Sequence, residues 1–432
     1  MAYVSFDGVN VEFSKFGQKF GANSGITSLM DDLGEALGGE SEMIMMGGGN
    51  PAHIPEVQDA FKSRLSHIIN SQKDFESLIG TYDPPQGNNA FIRELKDLLN
   101  AEYGWNLSNE NIALTNGSQS AFFMLFNLLA GEYEGGEFKQ IQLPLTPEYI
   151  GYSDSGLTEN FFHANKPSIE TIDTNTFKYH INFDQLEIND NCGAICVSRP
   201  TNPTGNVLTD NEVLKLDVLA KKKNIPLIID GAYGTPFPSL IFSDATPIWN
   251  DNIVLCLSLS KFGLPAARTG IVIAKEEIIK SISSMNAIMN LATGSFGSSL
   301  AINLVKSRDI ITLSQTVIKP YYKDKAKRAR DFLLQKLKGL PVKLHKVEGA
   351  MFLWLWLKEC PISNDILYQR LKSKGVLIVS GHHFFPGLSS TEASAWQHTK
   401  ECLRITYSQR DDLVMRGLEI IAEEVHAAYQ HG

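Results

Sequence analysis

The 432 residues carry 39 lysines and arginines against 48 aspartates and glutamates, a formal charge of −9. That length is too great for one small core and too short for a string of modules, so a large domain plus a smaller one is expected, and the acidic balance argues against nucleic acid as a partner, because phosphate binding needs a clustered cationic face. The opening MAYVSFDGVN has neither the basic nor the apolar region of a leader, and no later stretch is long and apolar enough to span a bilayer; no membrane partner and a cytoplasmic location are expected.

In chain order, residues 1–60 are Gly-rich and weakly periodic, and are expected to pack on the small domain and the active site instead of forming a domain. Short apolar runs follow, each ending in turn chemistry: 112–115, 140–143, 194–197, 227–229, 253–257 and 270–274. They read as buried strands of a mostly parallel sheet. Helical patterns at 118–129 and 210–223 lie between them, which makes residues 61–320 a layered α/β domain with ligands at the carboxyl ends of its strands. From about residue 321 to 432, amphipathic helices surround a few strands (351–357, 376–379, 402–407), a smaller α+β domain. The run KPYYKDKAKRAR at 319–330 reads as a solvated helix face. The five cysteines, Cys192, Cys196, Cys256, Cys360 and Cys402, lack CxxC spacing and read as reduced core thiols.

Chemistry-bearing residues fall at the strand ends. TNGSQSAFF (115–123) is a strand, a Gly turn and a helix start, whose N–H groups at Ser118 and Gln119 suit a phosphate. LPLTPEYIGY puts Tyr149 after a strand, where its ring can stack on a planar ligand. SRPTNPTGN (198–206) fixes Asn202 in a Pro/Gly turn. Asp230 closes IPLIID and is followed by Tyr233; a carboxylate there pairs with a buried cation or caps the next segment. Lys261, in SLSKFGLPAARTG, follows a strand directly, with Ser258 and Ser260 before it and Arg268 after it. Burial of that amine demands a lowered pKa, which is what imine formation needs, and small hydroxyls beside an arginine suit a phosphate monoester.

The order of these motifs, a Gly-Ser helix cap, an aromatic loop, NPTG, a strand-end Asp-x-x-Tyr and SxSK with a following Arg, resembles the fold-type I pyridoxal-phosphate (PLP) enzymes of aminotransferase class I/II, from about residue 20 to the end. The resemblance implies Lys261 as the Schiff-base residue and proton shuttle. It further implies Asp230 at the pyridine nitrogen, Tyr233 and Asn202 at the ring oxygen, and Tyr149 stacked on the ring. Ser118, Gln119, Ser258 and Arg268 would hold the phosphate, and Tyr82 of TYDPPQG would reach it from a neighbouring subunit, which implies a homodimer with shared sites. Arg404, in Leu-Arg-Ile-Thr, would clamp the substrate carboxylate together with Asn202, and Gly49 of GGGNP would meet the same group. One departure stands out: Lys261 and Arg268 are seven positions apart where many members have eight, so the intervening turn must be tightened.

Segments such as SGITSLMDDL, MMGGGNPAHIPE, SRPTNPTGNVLTD and GHHFFPGL resemble members that move the amino group of L-valine to pyruvate. The amino-acid and 2-oxo-acid partners so implied agree with the absence of any cation from Ser281 to Val305, where dicarboxylate-specific relatives supply an arginine. Transfer by other small apolar or aromatic amino acids, or a PLP-dependent β-lyase reaction, uses the same lysine, aspartate and arginine. Adjacent His382 and His383 lack spaced partners for a metal. Regulators built on this domain carry a helix-turn-helix ahead of it, which residues 1–40 are too short and Gly-rich to supply.

Overall fold

In the computed structural model, residues 43–431 are described, with residues 5–6, 9–10, 12–22, 25–27, 30–31 and 34 before them; the rest of the 1–60 segment lies outside the described residues. The apolar runs assemble as one eight-stranded sheet. Its order is Ile112–Thr115, Gly270–Ile273, Ile253–Ser258, Leu227–Asp230, Cys192–Ser198, Phe138–Leu143 and Gly131–Glu132, with Phe162–Ala164 also paired to Phe138–Leu143. The pairings from Ile253–Ser258 across to Phe138–Leu143 and Phe162–Ala164 are parallel. Gly270–Ile273 runs antiparallel to both of its neighbours.

Side chains alternate between two cores, as the two-residue period of a strand requires. Leu227 and Ile229 enter one core, and Ile228 enters the other with Ala113, Val272, Cys256 and Cys196. Helix Ser118–Leu129 covers the second face with Phe122, Leu125 and Phe126. Helix Asp210–Lys222 starts from a capping box, in which Thr209 and Glu212 satisfy each other's end groups. All five cysteines are free and buried.

A second, six-stranded sheet has the order Val379–Ser380, Cys402–Thr406, Phe352–Leu357, Val342–His345, Thr176–His180, Ser168–Thr171. Its last two strands come from the middle of the chain, a hairpin that a division at residue 320 does not anticipate. The single strand expected at 376–379 is split: Val376–Leu377 pairs with Ile44–Met45, and Val379–Ser380 pairs with Cys402–Thr406. The chain changes partner at Ile378, whose carbonyl lies against Gly47, where a Cβ would come within 2.7 Å of it. Thr406 N–H also donates to Met46 O, so residues 44–47 are tied to this half of the molecule. Helix Lys15–Phe20 meets helix Ser118–Leu129, with Phe20 5.9 Å from Phe123.

The basic run is less uniform than its pattern suggests. It forms helix Lys319–Lys336, but Lys325 is buried and ion-paired to Asp411, because that position faces helix Asp411–His431. Among the described residues no helix is long and apolar enough to cross a membrane.

Candidate active site

The register of the large sheet brings the singled-out strand ends into line. Ser198 lies opposite Asp230 and Asp230 opposite Cys256, while Ser258 lies opposite Gly270 and Gly270 opposite Thr115. Asp230 is buried; its Oδ1 accepts from Ala232 N–H at 2.9 Å and its Oδ2 from the Tyr152 hydroxyl at 2.7 Å. Burial raises its pKa, while those two donors and the nearby Lys261 pull it back. It therefore does cap the following turn, and it also retains a charged neighbour on the site side.

Lys261 follows the strand Ile253–Ser258 by three residues. Its Nζ donates to Gly49 O at 2.5 Å and lies 5.3 Å from the Tyr233 ring centroid. Desolvation, then Arg404 and Arg268, push its pKa down to about 8, with Asp230 opposing. An amine so placed is available as a nucleophile near neutral pH, where an exposed lysine is almost wholly protonated.

Arg268 explains how the shortened spacing is absorbed. A 3₁₀ turn at Pro265–Ala267 is closed by Arg268 itself in the left-handed region, at φ +46°. Its guanidinium then lies beside Gly117, at φ +85°, where a Cβ would sit 2.3 Å from Nη2. Arg268 Nη1 also reaches Ser260 Oγ at 3.4 Å, and Ser258 Oγ accepts from Ser260 N–H at 3.1 Å. Ser118 opens the helix directly after Gly117, so its first-turn N–H groups, which have no carbonyl one turn earlier, face the arginine's side of the site. Gln119 donates from Nε2 to Gly151 O at 3.0 Å, which fastens the loop carrying Tyr149.

Arg404 is buried in the strand Cys402–Thr406, between the rings of Phe352 and Phe384 at 4.5 and 5.0 Å from their centroids. Its Nη1 donates to Asn202 Oδ1 at 2.7 Å and its Nη2 to Gly47 O at 2.5 Å; Nε has no partner. All of these acceptors are neutral, and burial pushes the guanidinium down to about 10. A buried cation bonded only to neutral oxygens is a strong attractor for a carboxylate.

Tyr82 is the one expected residue that this chain does not bring to the cluster; it is 83% exposed. Three residues went unnoticed in the sequence. Tyr152 bonds Asp230, Ser198 lies 3.3 Å from the Tyr152 hydroxyl, and Glu148 accepts from Ser198. PEYIGY contains two of them, but a Glu in a loop between strands reads as solvated until the tertiary structure buries it. Phe384 is fully buried as a wall of the Arg404 pocket. His382 Nδ1 pairs with Ser380 Oγ at 2.8 Å, and among the described residues no group of three or more His, Cys, Asp or Glu could hold a metal ion.

A buried carboxylate, an amine of lowered pKa, a buried guanidinium bonded to neutral oxygens and a helix N-terminus beside a second arginine together fit a cofactor with a pyridine ring and a phosphate. The model for aminotransferase class I and II matches residues 157–421, and the chain belongs to that family. It is a PLP-dependent aminotransferase with the fold-type I architecture. Among its relatives, valine–pyruvate aminotransferase of Escherichia coli K12 is 50% identical over 96% of this chain and 99% of its own length. The crystal structure of valine–pyruvate aminotransferase from Salmonella typhimurium LT2 superposes with a TM-score of 0.86 at 48% identity, covering 94% of this chain and all of that one. A crystal structure from Psychrobacter arcticum 273-4 gives 0.95 at 46% identity, over 98% and 100% of the two chains.

Proposed function

We propose that the chain transfers the amino group of L-valine to pyruvate, giving 3-methyl-2-oxobutanoate and L-alanine, in the cytoplasm and as a homodimer with shared sites. The observation that carries the reading is the pairing of Lys261, an amine pushed down to about 8, with Arg404, a buried guanidinium bonded only to neutral oxygens. The choice of an apolar amino acid is supported by the names of the two full-length relatives that are 50% and 48% identical to this chain and by the segment Ser281–Val305. That segment reaches the site's edge, where Gly294 N–H donates to Asn116 Oδ1 at 3.0 Å, and it carries no cation for a second carboxylate.

Ser118, Gln119, Ser258 and Arg268 would hold the cofactor phosphate, joined by Tyr82 from across the dimer. Asp230 would meet the ring nitrogen, Asn202 and Tyr233 the ring oxygen, and Tyr149 the ring face. When bound, PLP supplies an electron sink for the bonds at the substrate Cα. Arg404, Asn202 and Gly49 orient the substrate carboxylate. Lys261 Nζ, neutral in a large fraction of molecules near pH 8, would take the Cα proton of valine and deliver it to the cofactor's C4′ within the same half-reaction, and would move a proton the opposite way when pyruvate is the acceptor.

Initial rates for valine against pyruvate are expected to give parallel double-reciprocal lines, with one alanine formed per valine consumed. Intersecting lines, or 2-oxo acid accumulating without an amino acceptor, would overturn the reading in favour of a different sequence of steps or a β-lyase.

A further inference from the structure

Glu148 is fully buried, and a row of hydroxyls connects it to Asp230. Its Oε1 accepts from Ser198 N–H at 2.9 Å; its Oε2 lies 2.6 Å from Ser198 Oγ and accepts from Tyr149 N–H at 3.2 Å. Ser198 Oγ is 3.3 Å from the Tyr152 hydroxyl, which is 2.7 Å from Asp230 Oδ2. Two carboxyl groups thus terminate a row with two hydroxyls between them.

The hydrogens can be counted. With Glu148 ionised, the Ser198 hydroxyl hydrogen goes to Oε2 and the Tyr152 hydrogen to Asp230, which leaves no hydrogen between Ser198 and Tyr152. With a proton on Glu148 Oε2, every contact is filled in one direction: Glu148 donates to Ser198, Ser198 to Tyr152, and Tyr152 to the Asp230 carboxylate. The Oε1 atom then behaves as the acid's carbonyl and accepts the Ser198 N–H.

The titratable groups that bear on Glu148 are Asp230, Tyr152 and Cys196, none of them cationic, and among the described residues it forms no ion pair. Asp230 has Lys261 nearby as well as the Ala232 N–H. Two linked carboxyls in a dry interior cannot both ionise cheaply, so the proton belongs to the one without a cation. Desolvation likewise pushes Glu148 up to about 8.

We propose that Glu148 is a positioning residue held as a neutral carboxylic acid, and that through Ser198 and Tyr152 it orders the donor that keeps Asp230 ionised. The link to Asp230 rests on the proposed role of that residue at the cofactor's ring nitrogen; the protonation of Glu148 does not.

The test uses infrared spectroscopy of the cofactor-free protein at pH 7, with glutamate labelled by ¹³C at the side-chain carboxyl, followed by PLP titration of variants. A carbonyl stretch of a neutral carboxylic acid, moved by the label and lost in Glu148→Gln, is expected. Glu148→Gln is isosteric with the neutral acid and its amide still donates to Ser198, so its PLP dissociation constant stays within about 3-fold of wild type. Ser198→Ala, which breaks the row, weakens PLP about 10-fold, the size of one hydrogen bond to a charged group. Absence of the label-sensitive band in the wild type overturns the proposal without recourse to any variant. Unchanged affinity in Ser198→Ala overturns the link to Asp230. A wild-type protein that binds no PLP would instead overturn the proposed function, while the band would still decide the state of Glu148.

Discussion

Replacing Lys261 by methionine is expected to remove a pH dependence of stability that the cofactor-free wild type carries. Desolvation and the two arginines lower this lysine's pKa from 10.5 to about 8. At about 1.4 kcal/mol for each tenfold change in proton affinity, holding the charged amine in the folded state costs up to about 3 kcal/mol. Below pH 8 both folded and unfolded chains carry the proton, and the whole cost is present. Between pH 8 and 10.5 the unfolded chain still holds the proton while the folded one has released it, so stability rises with pH through that window. Above it both amines are neutral and the cost is gone. Urea unfolding of wild type and Lys261→Met, both stripped of cofactor, measures this as a difference in which other titrating groups cancel. The wild type should gain up to about 3 kcal/mol on the variant between pH 7 and pH 10.5. A difference that stays flat across that range would mean that the amine is solvated and would refute the electrostatic account of the site.

Arg404→Leu should lower kcat/KM for valine by at least about 100-fold, the loss of charged hydrogen bonds to a carboxylate, while the melting temperature of the cofactor-free protein does not fall, since an uncompensated buried cation has been removed. Unchanged kcat/KM would take Arg404 out of substrate binding. Lys178→Met breaks a buried ion pair with Glu348 and two 3.0 Å bonds to Asn206 Oδ1 and Val207 O, and should cost about 3 kcal/mol in chemical denaturation; a loss below about 1 kcal/mol would show that Lys346, 2.9 Å from Glu348, takes over the pairing. Gly117→Ala places a Cβ against the Arg268 guanidinium and an alanine at φ +85°, and should weaken PLP about 10-fold or more by fluorescence titration, with a stability loss of about 1–2 kcal/mol. Unaltered affinity would separate Arg268 from the phosphate.

The central strands of the large sheet were legible because they are buried on both faces and read as continuous apolar runs, whereas the short peripheral strands Gly131–Glu132 and Phe162–Ala164 carry no such run and went unread. The residues at the carboxyl ends of the central strands were legible for the same reason, since a polar group that terminates such a run has few ordinary explanations. Partner exchange was not legible: nothing local to Val376–Val379 says that the chain changes sheets at Ile378, because that depends on where residues 44–47 dock. Glu148 and Tyr152 escaped notice because burial of a loop is decided by what covers it, here the Phe384 segment, whose carbonyl accepts from Glu148 N–H at 2.8 Å. Lys325 sits in a run of cations whose pattern is the same whether one member faces solvent or Asp411.

The hairpin formed by Ser168–Thr171 and Thr176–His180 has a consequence for synthesis. Its inner strand pairs in the finished protein with Val342–His345, and Lys178 on that strand finds its counter-ion in Glu348, so both contacts wait until some 160 further residues have emerged. A ribosome-bound chain therefore presents an open strand edge bearing an unneutralised lysine for much of its elongation. At about 5–20 residues per second that interval lasts roughly 10–30 s, and the charge that later joins these two distant stretches of chain would serve in the meantime to repel edge-to-edge association of nascent chains.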